Sequence, residues 1–307
     1  THADHRVLYG TKVTTFPHGR RMFADAYARP LAMKLFSARS ADYLRSASDD
    51  DRRFLLFNPI TKMKVTSEGE RVIDLLWEVI AAHGFEKDTY FEQAAQHIRA
   101  LPKLEGTVHV NLALVLKFLP QYLMATGEYP EIPVRQDAAD DEYLFRQGRA
   151  SGLGRITFAP WRPALEAYQH LPNVALFLEQ VDAFTQMVMS APPSEEQQKD
   201  LDFLLTLGQL FTQVVYAQLV CESAGLARPG TISDMPGLGD AHIDRIFAVF
   251  VQDVSEIAVA LHGQASATDA QRAAALGLVR APRIEAGAEQ AFVEEVLGLA
   301  DEYVMPE

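Results

Sequence analysis

Cysteine is nearly absent: the 307 residues hold one, Cys221. A single thiol excludes an intramolecular disulfide and any cysteine-based zinc cluster. It lies in the apolar run VVYAQLVCES and reads as a buried, inert side chain. Basic charge is also short: 28 Lys and Arg stand against 41 Asp and Glu, a formal net charge of −13. Nucleic acid and anionic lipid would repel such a surface, so neither is expected as a partner. No charge-free run of about eighteen apolar residues marks a membrane span, and no signal peptide opens the chain. The expected location is the cytoplasm. HExxH is missing, and His2 and His5 have no further ligands near them in sequence, so no metal site is expected. There is no Gly-x-Ser-x-Gly elbow for a serine nucleophile. The Gly-x-Gly pairs in SGLGR and PGLGD follow no strand and lack the third glycine, so they read as loops.

What is present is an ordinary globular composition, 48% hydrophobic and 22% charged, patterned for helices almost throughout. Val72, Leu75, Leu76, Val79 and Ile80 share one helical face, with Gly84 as a stop. Ile243, Ile246, Phe247, Phe250, Val254, Ile257, Ala258 and Leu261 keep the same spacing from His242 onward. Ser194 with Gln197, and Thr268 with Gln271, have the form of capping boxes. The first is expected to open a long apolar helix through Leu204, Leu207, Phe211, Val214 and Val215. No run of alternating strands is evident, so the fold class is all-α. Pro130, Pro133, the acidic run from Asp137 to Glu142, and Gly148, Gly152 and Gly154 break the helical pattern. The expected division is a helical domain at 1–130, a connector at 131–154 and a second helical bundle at 155–307, packed on protein and not on lipid.

One carboxylate stands out. Glu105 in LPKLEGTVHV has Leu101, Leu104, Val108 and Val110 around it and Pro102 before it. Held in apolar surroundings, its pKa would rise, which suits a general base that takes a proton from carbon. Gly106 would let the backbone turn tightly behind it, and the Thr107 hydroxyl would satisfy local backbone groups. Trp77 reads as core.

Four segments, in order and in register, carry a resemblance. They are HRVLYG, Lys62 in NPITKMKV, VIAAHGF and LPKLEGTVHVN. Together they resemble the C-terminal helical domain of the FAD-dependent acyl-CoA dehydrogenases. The tail from 155 resembles, in layout, the extra helical bundle of the very-long-chain members. The resemblance implies α,β-desaturation of an acyl thioester, such as acyl-CoA, with Glu105 as catalytic base and Gly106 and Thr107 supporting its loop. It implies FAD as cofactor, with Arg6, Ala81, Ala82 and His83 near it, Arg6 reaching the cofactor of a neighbouring subunit. Lys62 is taken as structural. The sequence departs from the pattern at Ala81-Ala82, where the family has two glycines, at Glu78, at Gln96-His97 and at Leu104.

Two further expectations follow from the resemblance. Arg6 should sit inside a long helix, cut by a chain that starts at Thr1 and not at methionine. A cleaved, split or truncated protein is therefore expected, with a partner polypeptide supplying the N-terminal helical and β-barrel domains. The whole would be a homo- or hetero-oligomer, and this chain alone would not hold FAD tightly. The alternatives are a non-catalytic helical assembly subunit, or a flavin monooxygenase-type relative, for which a carboxylate at 105 has no use.

Overall fold

The structure, a computed structural model, describes residues 2–135, 142–146, 152–226 and 238–299. The elements run α1 (His2–His5), β1 (Val7–Leu8), β2 (Thr11–Lys12), α2 (Pro17–Arg45), α3 (Phe54–Ile60), α4 (Thr66–Ile80), α5 (Phe91–Ala100), α6 (Val108–Val115) and α7 (Leu119–Met124). They continue with α8 (Glu142–Arg146), α9 (Arg162–Glu166), α10 (Pro172–Ser190), α11 (Leu201–Ala224), α12 (Asp240–Gly263), α13 (Asp269–Leu276) and α14 (Ala288–Gly298). Among the described residues the fold is all-α apart from one small hairpin.

That hairpin is a departure from the sequence reading. Val7 pairs with Lys12 and Leu8 with Thr11, antiparallel. The two-residue link is Tyr9-Gly10, with φ of 52° and 77°. Two positive φ values in sequence make the tight turn whose twist suits paired strands. The chain therefore leaves α1 at His5, and Arg6 is the first residue past it, its N–H still donating to His2 O at 3.0 Å. Arg6 is not inside a long helix; the long helix is α2, which opens at Pro17, a residue suited to a first turn because it needs no N–H partner.

The helix α11 is the axis of the core. Almost every residue from Phe203 to Cys221 is buried, whichever way it points. Around it pack α2, α12, α6 and α9. The side of α2 that faces inward reads Ala24, Ala28, Leu31, Leu35, Arg39, Tyr43, at three- and four-residue steps. Both α11 and α12 are long and apolar enough to cross a bilayer by length and composition, but here they are largely buried among other helices of the chain. Cys221 is buried as expected, and burial pushes its thiol pKa well up.

One hydrophobic core is continuous across the expected connector. Its first residues lie on α2: Arg39 donates to Ile132 O at 2.9 Å, and Arg135 N–H donates to Asp42 at 3.0 Å. Asp137 to Asp141 of the acidic run, and Gly148, lie outside the described residues. Buried ion pairs then tie α2 to the later helices: Arg29 to Asp253, Arg39 to Glu222 and Arg245 to Asp25.

The Thr268–Gln271 capping box starts α13 as expected, with reciprocal bonds of 2.9 and 3.2 Å. The Ser194–Gln197 box also forms, but it caps a single 3-10 turn, Gln197–Lys199. The long helix α11 starts later, at Leu201, capped by Asp200, which accepts from Phe203 N–H at 3.2 Å.

Candidate active site

The helix α4 organises every predicted site residue. A π turn, Thr61–Val65, leads into it, and a 3-10 turn, Ala81–Phe85, leads out. The helix α5 then runs back along it, clasped by Arg99 to Asp74 and Lys103 to Glu70. This return brings the segment 101–107 to the N-terminal end of α4, where α6 begins.

There the Glu105 loop is held from below. Lys62, in the π turn, donates from Nζ to Gly106 O at 2.7 Å. Asn111 Nδ2 donates to Gly106 O at 3.2 Å and to Thr107 O at 3.1 Å. Lys62 is thus structural in a specific sense: it anchors the backbone of the glutamate loop. Thr107 occupies the N-cap position of α6 but makes no side-chain capping bond; the backbone groups satisfied here are the Gly106 and Thr107 carbonyls, which accept from Asn111.

The backbone at this point is unusual. Glu105 has φ of 47° and Gly106 has φ of 92°. Glycine carries such a value freely, but a glutamate does so at a cost of about 1–3 kcal/mol. The surrounding bonds must therefore over-determine the conformation.

The apolar, water-excluding setting expected for Glu105 is not built by these residues. Glu105 is exposed, and its neighbours Leu104 and Val110 are exposed at 56% and 61%. Leu101 is exposed too, while Val108 is half-buried and Pro102 alone is buried. The segment is an apolar rim around an outward-facing carboxylate.

The other predicted residues gather at the far end of α4. The rings of His2 and His83 stack with centroids 4.3 Å apart and an interplanar angle of 17°. Arg6 adjoins this pair. Burial, with the charges of His83 and Arg6 nearby, lowers the pKa of His2. His83 Nδ1 lies 2.9 Å from Glu86. Ala81 ends α4 with φ of 55° and ψ of −140°, a glycine-like conformation held by an alanine. Ala82 is exposed beside it. Trp77 is half-buried and not fully in the core; with Phe85, Arg99, Asp74 and Glu78 it lines an open cleft of about 590 Å³.

The structure therefore joins Arg6 to the Ala81–His83 turn and separates both from Glu105. Lys62 and Ala81 are 19 residues apart (81 − 62) along continuous helix. At about 1.5 Å per residue that places the two patches about 28 Å apart.

Sequence reasoning missed the buried charge cluster beside α4. Asp253 of α12 accepts from Arg29 at 2.8 and 3.0 Å and from Arg71 at 2.5 Å. Glu68 accepts from Lys64 at 2.6 Å and also pairs with Arg29. Burial raises the Asp253 carboxyl, but Arg29, Lys64 and Arg71 outweigh it and hold the group below the usual range. The available signal was an acid placed among Phe250, Val254 and Ile257 on an otherwise apolar helix face.

The largely helical fold agrees with two comparisons. Residues 1–119 match the family model described as Acyl-CoA dehydrogenase, C-terminal domain. A solved structure, an acyl-CoA dehydrogenase complexed with FAD from Bacillus anthracis, is similar at a TM-score of 0.52 and 14% identity. The similarity covers 99% of this chain and 51% of that one, so the chain spans about half the length of that protein. It is a likeness of fold, and it includes the helices beyond residue 119. No curated protein matches.

Proposed function

We propose that this chain supplies the base-bearing helical part of an acyl-CoA dehydrogenase, desaturating an acyl thioester with Glu105 as base and FAD as cofactor. The observation that carries the reading is the Glu105 loop itself. An exposed carboxylate sits on a strained backbone, pinned by Lys62 and Asn111, inside a rim of exposed apolar side chains. Strain of this kind persists only where surrounding bonds hold it, and such positions cluster at functional sites. The rim of Leu101, Leu104 and Val110 would be covered when the rest of the fold docks, and closing it would strip water from the carboxylate. A desolvated carboxylate is a stronger base toward carbon.

In this reading Glu105 takes the proton from the carbon alpha to the thioester carbonyl. The β hydrogen leaves as hydride, and FAD, when bound, supplies the acceptor. Lys62 and Asn111 hold the loop so that the carboxylate stays aimed while the proton moves. The residues present fit one edge of the cofactor. Arg6 and the exposed backbone at Ala81-Ala82 suit a phosphate, and the stacked imidazoles suit a ring. The cleft at Trp77 suits phosphate less well, because Asp74 and Glu78 outnumber Arg99 there. One edge is not an enclosure, so residues 1–307 alone are expected to be colourless.

The test combines these residues with the remaining part of the fold, on the same polypeptide or on a second one, and adds FAD. A yellow complex that reduces an electron acceptor with acyl-CoA is expected. Glu105→Gln should keep the colour and lower desaturation by about 10²- to 10⁴-fold. A coloured Glu105→Gln complex with near-unchanged turnover would remove Glu105 from the mechanism. A coloured wild-type complex inert toward every acyl thioester would favour an assembly role.

A further inference from the structure

We infer that the cavity between α4, α6, α11 and α12 is a binding site for a small molecule with a hydroxyl on an apolar body of about four to six carbons. The cavity has a volume of about 130 Å³. A water occupies about 30 Å³ in the liquid, so the space exceeds a single bridging water. Part of the wall is apolar: Met63, Val108, Leu112 and Ile257. Another part is polar, with Lys64, Glu68, Thr212 and Gln213.

Two of these polar groups are incomplete. Thr212 Oγ1 and Gln213 Oε1 are buried and have no hydrogen-bond partner. Their residues are 4% and 2% exposed, which makes an unpaired oxygen costly. Gln213 Nε2 donates to Asp253 at 3.3 Å, which fixes the opposite end of the amide as the free acceptor. Lys64 Nζ donates to Glu68 at 2.6 Å and stands 3.9 Å from Asp253. An ammonium has three N–H groups, so donor capacity remains. The carboxylates of Glu68 and Asp253 are already taken by Arg29, Lys64 and Arg71.

This inventory selects the ligand's polar group. A carboxylate would leave Gln213 Oε1 without a donor. An ammonium would meet Lys64 and Arg71. A hydroxyl has one donor and two acceptor sites. It can give to Gln213 Oε1 and receive from Thr212 and Lys64, with its carbon chain against the apolar wall. The site does not depend on the role of Glu105.

The test uses the folded chain with carbon-13 methyl-labelled methionine, Met63 being the reporter in the wall. Titration with 1-pentanol should shift the Met63 methyl signal saturably, and pentanoate and pentylammonium should bind at least about tenfold more weakly. Thr212→Val should weaken 1-pentanol by about tenfold, as the loss of one hydrogen bond of about 1.4 kcal/mol. Val108→Phe, at a half-buried position on the rim, should fill the space and abolish the shift; it decides the matter should Thr212→Val fail to fold. Absence of a saturable shift, equal binding of pentanoate, or undiminished binding by a folded Thr212→Val chain would overturn the inference.

Discussion

Asp253→Asn should destabilise the fold more than any change at the exposed loops. The side chain is 1% exposed and binds Arg29 through both oxygens, with Arg71 on one oxygen and Gln213 on the other. Asparagine fills the same space, so packing is conserved and charge alone is removed. Arg29 and Lys64 would then share Glu68 as their buried anion, and Arg71 would keep only Glu256, 3.9 Å away. Breaking a buried pair on one side costs about 3–5 kcal/mol. That is a large part of the about 5–15 kcal/mol that holds an ordinary domain folded. The cost comes from stranding cations, so removing Arg29 as well should recover part of it. Arg29→Met with Asp253→Leu is expected to cost less than the sum of its single changes, with a coupling of about 1–3 kcal/mol. Urea unfolding at pH 7, read by midpoint and slope, measures both. A loss below about 1 kcal/mol for Asp253→Asn, or strict additivity, would refute the reasoning. The acid limb gives an independent check. An unfolded aspartate titrates near pH 4. The folded carboxyl lies lower, so its contribution is complete above about pH 4 and is lost as pH falls through the depressed folded value. The wild-type chain should lose stability below about pH 4, and Asp253→Asn should lose less over that range.

Ala81→Gly should stabilise the chain by about 1 kcal/mol, because glycine accepts the φ of 55° that alanine bears at a cost. The melting temperature should rise by about 2 °C, and no rise or a fall would mean that the turn relaxes in another way. Lys62→Met removes the 2.7 Å bond to Gly106 O from an exposed site, so the cost in overall stability should be small. Amide exchange at residues 105–107 should quicken, and in the reconstituted enzyme turnover should fall more than substrate affinity; unchanged exchange would remove Lys62 as the anchor.

The helix pattern was legible where one face meets one core. His242 to Leu261 gives α12 nearly residue for residue, since its buried positions repeat at helical spacing. The Ser194–Gln197 box was legible as chemistry but not as placement. The same four residues cap a 3-10 turn, and Asp200 claims the start of α11. The hairpin at Tyr9-Gly10 was hidden because its strands are two residues each, too short for alternation to show. Glu105 was found from its neighbours, yet its exposure was not. Apolar neighbours in sequence bury a carboxylate only if their side chains face a covered surface, and here Leu101, Leu104 and Val110 face out. The nearness of Arg6 to His83 was implied by family resemblance alone; His2, whose ring stacks on His83 and whose carbonyl accepts from Arg6 N–H, adds a physical link.

The separation of the two patches constrains any mechanism built on this chain. Groups about 28 Å apart cannot touch the same reacting atoms. If Glu105 takes a proton from substrate, Arg6, Ala81, Ala82 and His83 act on something else: a remote part of the cofactor or the site of a neighbouring copy. The second option agrees with the direction of exposure, since Tyr9 is 98% and Phe85 66% exposed at that end, while Leu104 and Val110 open the other. Each end of α4 thus presents an apolar rim next to polar groups that this chain has already ordered. Ordering such groups before contact lowers the entropic cost of assembly, because the loop and the stacked rings need not be immobilised when a partner docks. On this argument the strain at Glu105 and at Ala81 has one explanation. Ala81 ends α4, and Glu105 lies in the loop that Lys62 anchors ahead of the other end of that helix.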